Sequence, residues 1–316
     1  MKIITYITHS IVEPWHFKPE HAAIIKKELP DAEIVICESE EEFVAALPTA
    51  EVVLTWVFRQ EWFAVSPRLR VISTPAAGKD YFHVVPPGNV TMLNGHFHGE
   101  IIAETVVGMI LGIIRGLLPN ATQFSHEPWA RKELSPKLRT LRGSNVTILG
   151  FGNIGRWIGR LLKPFGTQSI WGMTRHVDSP RPDWFTEHDS IFTIDTLDER
   201  LRVTNHLIMA LPSTTGTDGL VGSHELELLP KDATVTNIGR GNSLDEAALV
   251  SCLKKGHLAG AVLDVFSKEP LEGDSVVLTC PNLWTLPHAS AIAPNYLSLY
   301  ASEVAKDILR VYVSGK

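Results

Sequence analysis

Three apolar runs in the second half of this chain end in side chains that carry protons or grip anions. "NIGRG" leaves Arg240 just past one run, "LDVFSKEP" leaves Asp264 and Glu269 past the next, and "LPHAS" leaves His288 past the last. Arginine offers a planar fork that matches a carboxylate, glutamate can orient an imidazole, and histidine exchanges a proton near neutral pH. Singly, each has an ordinary structural explanation. Jointly placed at strand ends, they form a set suited to hydride transfer, which requires a hydride carrier beside them.

The carrier's seat is legible in "NVTILGFGNIGRWIGRLL", which begins at Asn145. An apolar run followed by Gly-x-Gly-x-x-Gly reads as a strand turning into a helix whose N-terminus faces a dinucleotide pyrophosphate. Gly150 would make the tight turn, Gly152 would admit the pyrophosphate, and Gly155 would let helix and strand pack closely. Roughly 20 residues on, an NAD-binding chain presents an acid to the ribose hydroxyls. Here "SIWGMTRHVD" puts Met173 at that position, followed by Thr174, Arg175 and His176. An acid would repel a 2'-phosphate, whereas Arg175 and the Thr174 hydroxyl can bind one. The expected cofactor is NADP(H), with NAD(H) left open if Asp178 reaches the ribose.

Alternating elements must position these groups. "KIITYIT", "AEIVIC", "EVVLTW" and "LRVISTP" read as strands, with "PEHAAIIKKEL" and "SEEEFVAAL" as helices and Ser39 as a cap. This first series lacks a glycine-rich phosphate turn. Residues 97 to 118 then read as one long buried helix, with Ala103, Gly108 and Gly112 allowing close approach. The second series, from Asn145, continues through "NHLIMALP", "ATVTNIGRG", "LAGAVLDVF" and "NLWTLPHAS", and a last helix is expected from Pro294 to Val313. In parallel sheets ligands sit beyond the carboxyl ends of strands, where the chemical residues fall. "SLDE" at Asp245 and Glu246 has capping-box spacing, and Gly256 suits a helix end.

The 316 residues are enough for about two domains, each with its own core. A net charge of -6 gives no general attraction to nucleic acid or acidic membranes. "IIAETVVGMILGIIRGL" is interrupted by Glu104 and Arg115, so no membrane partner is expected. Cys37, Cys252 and Cys280 lack CxxC spacing and suit free thiols in the cytoplasm. His96 and His98 in "HFH" fall short of a metal ligand set, so no metal is expected.

The blocks "LGFGNIG", "ALPSTTGT", "ATVTNIGRGNSLDEAALVSCLKKGHLAGAVLDVFSKEPL" and "NLWTLPHAS" resemble the D-isomer-specific 2-hydroxyacid dehydrogenases over nearly the full length of the chain. The resemblance implies an α/β fold of two doubly wound parallel-sheet domains. A Rossmann nucleotide-binding domain, 97–289, would be inserted into a flavodoxin-like substrate domain, 1–96 plus 290–316. It implies that Arg240 binds substrate, that His288 is the acid and base, and that Glu269 orients it. Asp264 would meet the nicotinamide amide, with Leu211, Pro212 and Ile238 lining the groove. Asn153, Ile154, Thr217, Gly239 and Ser290 complete the implied cofactor set. "TPAAGKDYF" matches the substrate loop, where backbone amides of Ala77 and Gly78 would hold a carboxylate; Ala76 and His83 depart from the usual pattern, as does Leu286 before the histidine. Trp56, at a strand end, reads as a core residue or a pocket wall. The implied reaction reduces a small 2-oxoacid to a D-2-hydroxyacid, with glyoxylate or hydroxypyruvate as the first expectation. A homodimer is implied, embraced by the long helix and "FSHEPWARKEL". The alternatives are a nucleotide-sensing corepressor or scaffold of the same fold, and a formate or phosphite dehydrogenase.

Overall fold

Strands buried on both faces form when crossover helices cover a parallel sheet, and their sequences then read as unbroken apolar runs. The computed structural model, which describes residues 1–78, 82–175 and 178–313, contains two such sheets in two units: Met1–His98 with Ile292–Lys316, and Gly99–Ala291.

In the first unit, β1 (Lys2–Tyr6), β2 (Glu33–Ile36), β3 (Val52–Thr55), β4 (Val71–Thr74) and β5 (Thr91–Asn94) are all parallel, in the order β2-β1-β3-β4-β5. That is the flavodoxin-like order. Ile4, Val53 and Ile72 pack on one face with Phe43, Leu47 and Trp62. The helices Pro19–Glu28 and Tyr296–Val313 pack against each other within the unit. Ser39 caps its helix by accepting from the Glu42 amide.

The second unit holds β6 (Asn145–Leu149), β7 (Ser169–Met173), β8 (Ser190–Phe192), β9 (His206–Met209), β10 (Thr234–Asn237), β11 (Gly260–Leu263) and β12 (Leu283–Thr285). Their order is β12-β11-β10-β9-β6-β7-β8, the doubly wound Rossmann arrangement with one strand added. Period-two alternation divides the core. Val146, Ile148, Ile170 and Ile208 face the helix His98–Ile114, while Leu149, Met173, Leu207 and Val235 face the helices on the other side.

The long helix ends at Ile114, short of the expected 118, because Gly116 adopts φ +73° and a separate helix, Leu117–Thr122, begins after it. Gly108 is also not a close-approach site. A side chain there would meet nothing within 4 Å, whereas one at Gly112 would press on Leu118. The last helix starts at Tyr296, two residues after the expected Pro294. Asp245 caps the helix Glu246–Lys254, and Gly256 follows it at φ +66°.

Candidate active site

The glycine turn after β6 has the stereochemistry that a dinucleotide requires. Gly150 sits at φ +91°, and a Cβ there would lie 2.4 Å from the Ala210 carbonyl oxygen. Gly155 packs so closely that a Cβ would lie 2.3 Å from the Gly150 oxygen. Gly152, by contrast, faces open space at the start of the helix Asn153–Leu162, so a ligand can approach its backbone and the helix N-terminus. Asn153 is exposed beside it and Ile154 is half-buried.

A cavity of about 790 Å³ opens from this turn. It brings together Gly150, Gly152, Met173, Thr174, Arg175, Leu211, Pro212 and Thr217 from the expected set. Arg175 is exposed at its rim, and Met173 is buried where an acid would otherwise meet the ribose. His176, expected near Arg175, lies outside the described residues. Among the expected members that do not line this cavity, Ile238 is buried, Ser290 is buried with its carbonyl accepting from the Thr105 hydroxyl, and Gly239 packs against the Leu211 backbone.

Sequence reasoning missed several lining residues, notably Phe151, Ser179 and the segment Thr193–Asp195. Phe151 had a signal. It occupies the turn's second position, and a Cβ on Gly172 would fall 2.1 Å from its ring, so the two residues form a matched pair. Thr193–Asp195 had none, because only the pairing of β7 with the short β8 brings it there.

Beyond β10, β11 and β12, three neighbouring strands, come the residues with acid–base character. Arg240 is half-buried, and its Nη1 donates to the Gly239 carbonyl at 2.9 Å. Asp264 is 1% exposed and accepts the Ala289 and Ser290 amides at 2.7 and 3.1 Å. Expected at the nicotinamide, its carboxylate is engaged here in fixing the segment after His288. Its carbonyl also accepts the His288 amide at 2.9 Å. That grip holds His288 at φ +52°, a conformation uncommon for residues other than glycine.

Glu269 and His288 meet directly. Glu269 Oε1 accepts the Phe266 amide at 2.9 Å, and Oε2 lies 2.8 Å from His288 Nδ1. The loop that carries Glu269 is held by Glu246, whose carboxylate accepts the Ser267 amide at 2.6 Å. The pair borders a second cavity, of about 570 Å³, walled by Phe266, Leu271, Leu278 and Leu286. Leu286 thus makes this side of the imidazole apolar. Because Nδ1 faces the carboxylate, Nε2 is the position left for proton exchange.

In the first unit, the loop after β4 turns its carbonyls inward. Gly95 donates to the Ala76 oxygen at 3.0 Å, and Asn94 Nδ2 to the Gly78 oxygen at 2.9 Å. The amides of Ala77 and Gly78 have no partner among the described residues, and Ala77 is exposed. Adjacent unpaired amides of this kind attract anions. Lys79, Asp80 and Tyr81 of the same motif lie outside the described residues. Trp56 is half-buried after β3; its indole donates to the Trp15 carbonyl at 3.2 Å and its ring packs near Trp15 and Tyr296.

A nucleotide-binding α/β unit with a carboxylate–imidazole pair at its strand ends describes a nicotinamide-dependent oxidoreductase. A model of the D-isomer specific 2-hydroxyacid dehydrogenase NAD binding domain matches residues 107–290. Glyoxylate/hydroxypyruvate reductase B of Pectobacterium carotovorum is 34% identical over 228 residues, 71% of this chain and 69% of that protein. Glyoxylate reductase of Aeropyrum pernix is 30% identical over 79% of this chain and 75% of its own length. A D-isomer specific 2-hydroxyacid dehydrogenase from Xanthobacter autotrophicus, solved with NADPH and MES, superposes with a TM-score of 0.77 at 24% identity, covering 99% of this chain and 96% of that one. The chain belongs to the D-isomer specific 2-hydroxyacid dehydrogenase family and is an NAD(P)-dependent enzyme.

Proposed function

We propose that this enzyme uses NADPH to reduce a small 2-oxoacid, glyoxylate or hydroxypyruvate first, to the D-2-hydroxyacid. The observation that carries this reading is the 2.8 Å contact between Glu269 and His288 Nδ1 at the end of the nucleotide-binding sheet. The names of the two curated relatives support the substrate class. The open Gly152 backbone, the helix N-terminus and the cavity beyond them fit a dinucleotide. Met173 in the place of an acid, with Arg175 and Thr174 beside it, supports the phosphorylated form.

Bound NADPH supplies the hydride that forms the new C–H bond at C2 of the oxoacid. Arg240 binds the carboxylate and the keto oxygen through its planar fork. Protonated His288 gives the Nε2 proton to that oxygen as charge develops on it, and takes another from solvent afterwards. Glu269 holds the ring so that Nε2 faces the reacting atom. General acid catalysis of this kind contributes about 10²- to 10⁴-fold. The first unit, with the Ala77 and Gly78 amides as its anion-binding group, is assigned the substrate role; the unit Gly99–Ala291 is assigned the cofactor.

The quaternary proposal is a homodimer. Trp129 and Leu117, 72% and 65% exposed, stand on the segment after the long helix, and an apolar recess lined by Met109, Leu118, Leu283 and Trp284 lies in the same unit. An exposed aromatic side chain and an apolar recess in one unit suit a second copy. Cys37, Cys252 and Cys280 are buried free thiols that burial pushes up in pKa, which suits a reducing cytoplasm. No helix among the described residues is long and apolar enough to cross a membrane.

The test is a screen of 2-oxoacids at matched NADPH and NADH concentrations. Oxidation of NADPH with glyoxylate or hydroxypyruvate, faster than that of NADH, is the expected result. No turnover with any 2-oxoacid refutes the reading, and clear NADH preference refutes its cofactor half.

A further inference from the structure

The turn that carries Glu269 follows β11 and stands in solvent, with Ser267, Lys268, Glu269 and Pro270 all exposed. Such a turn holds a side chain precisely only if its backbone is tied to a rigid element. Within the turn, the Phe266 amide donates to Glu269 Oε1 at 2.9 Å, which fixes the carboxylate relative to Phe266. Lys268 pairs with Glu272 on the same loop. Among the described residues, one backbone hydrogen bond of residues 266–269 leaves the loop: the Ser267 amide donates to Glu246 Oε1 at 2.6 Å. That amide belongs to the peptide joining Phe266 to Ser267, and the carbonyl half of the same peptide rests on Gly241, where a Cβ would lie 1.8 Å from the Phe266 carbonyl carbon. The contacts are therefore continuous. Glu246 holds the peptide on one side of Phe266, the amide on its other side holds Glu269, and Glu269 Oε2 lies 2.8 Å from His288 Nδ1.

Glu246 is available for this because its neighbours serve the helix. The spacing of Ser243 and Glu246 suggests a capping box, but Ser243 Oγ donates to the Arg240 carbonyl at 2.7 Å, and Asp245 caps by accepting the Ala248 amide at 2.9 Å. The Asp245 amide is itself anchored on the Val221 oxygen at 2.9 Å. Glu246 thus stands on a fixed helix start with its carboxylate on a residue 21 positions away.

We propose that Glu246 is a positioning residue for the reaction: by holding the Ser267 amide it sets the turn from which Glu269 orients the His288 imidazole. This rests on the reading that Glu269 and His288 form the acid–base pair. Glu246 acts through Glu269 and moves no proton itself. An acid in the first turn of a helix also stabilises that helix through its dipole, and this structural contribution has a different signature. It depends on charge, it is independent of Glu269, and its loss lowers the amount of folded enzyme. The positioning role depends on an acceptor oxygen rather than on charge, vanishes once Glu269 is replaced, and lowers kcat per folded molecule, because ring orientation is used in the transition state.

The experiment is a double-mutant cycle on the full chain with Glu246→Ala, Glu269→Gln and the two combined, beside Glu246→Gln, which keeps an acceptor oxygen and loses the charge. For each, kcat and KM with glyoxylate are measured and kcat is normalised to the number of NADPH-binding sites, which removes any unfolded fraction. A single exposed hydrogen bond corresponds to about 3- to 10-fold. The expected result is that E246A lowers kcat by that factor with KM within about twofold, that E246Q stays within about twofold of wild type, and that E246A costs less than about twofold more when E269Q is already present. Wild-type kcat in E246A beside an impaired E269Q overturns the role of Glu246 and leaves the acid–base pair standing. Wild-type kcat in E269Q overturns the pair and this proposal with it. Losses that multiply in the double variant, or an E246Q as impaired as E246A, show a structural contribution only and also overturn it. Should E246A not fold, Glu246→Met, a good helix former without an acceptor oxygen, is read by the same criteria.

Discussion

Replacing Glu269 by glutamine changes one oxygen to an NH₂ group at constant shape, and the two contacts of this side chain make the consequence calculable. The wild-type carboxylate accepts twice, from the Phe266 amide and from His288 Nδ1. A glutamine accepts through one oxygen only. If that oxygen stays on Phe266, the NH₂ group opposes the N–H that a charged imidazole carries on Nδ1. If the side chain flips to serve His288, the Phe266 amide faces another donor. Hydrogen bonds to charged groups contribute about 1.5–3 kcal/mol, and the lower half of that range applies here because both side chains are more than a third exposed, at 36% and 55%. At about 1.4 kcal/mol for each tenfold, kcat should fall about 10- to 30-fold. Glu269 does not line the 790 Å³ cavity, so NADPH affinity should hold. Steady-state NADPH oxidation with saturating glyoxylate gives kcat, and quenching of protein fluorescence gives the NADPH Kd. A variant with kcat within twofold of wild type, or one whose loss tracks weakened NADPH binding, refutes the reasoning.

Three further outcomes follow from other parts of the molecule. Arg175→Ala should raise KM for NADPH about 10- to 100-fold through a lost charge-assisted contact while leaving KM for NADH within twofold, as initial rates with each cofactor will show. Gly172→Ala forces a methyl group into the Phe151 ring and should cost about 1–3 kcal/mol of stability in a denaturant titration, with NADPH binding weakened because Phe151 borders the glycine turn. Burial works to raise the Asp189 carboxyl, but Lys163 and the amides of Thr186 and Ile170 outweigh it and hold the group below its ordinary value. A depressed carboxylate stabilises the fold above its unfolded pKa of about 4, and that stability is lost as pH falls through the lower folded value. Asp189→Asn should therefore cost about 3 kcal/mol at neutral pH and flatten the loss of melting temperature below pH 4.

How far the sequence could be read depended on how many residues carried each signal. The glycine turn was legible because three glycines, a preceding apolar run and a following helix all agree, and the structure gives each glycine a different steric reason. The strand ends bearing Glu269 and His288 were legible as separate places, but their contact depends on the adjacency of β11 and β12, which no local pattern encodes. Strands β5 and β8 escaped notice because four and three residues, most of them half-buried, are too short to show a period. The break at Gly116 was hidden inside a continuous apolar run, where a glycine reads as small before it reads as left-handed. Asp264 illustrates the remaining gap: its type and place suggested a ligand contact, yet its burial and two backbone partners appear only in three dimensions.

The most direct trial of the account is to substitute His288 by asparagine and follow NADPH oxidation by hydroxypyruvate, with NADPH binding measured on the same preparation. We expect turnover to fall by at least about 10²-fold while the NADPH Kd stays within twofold. Wild-type turnover in His288→Asn would mean that the proton comes from elsewhere and would contradict the central assignment.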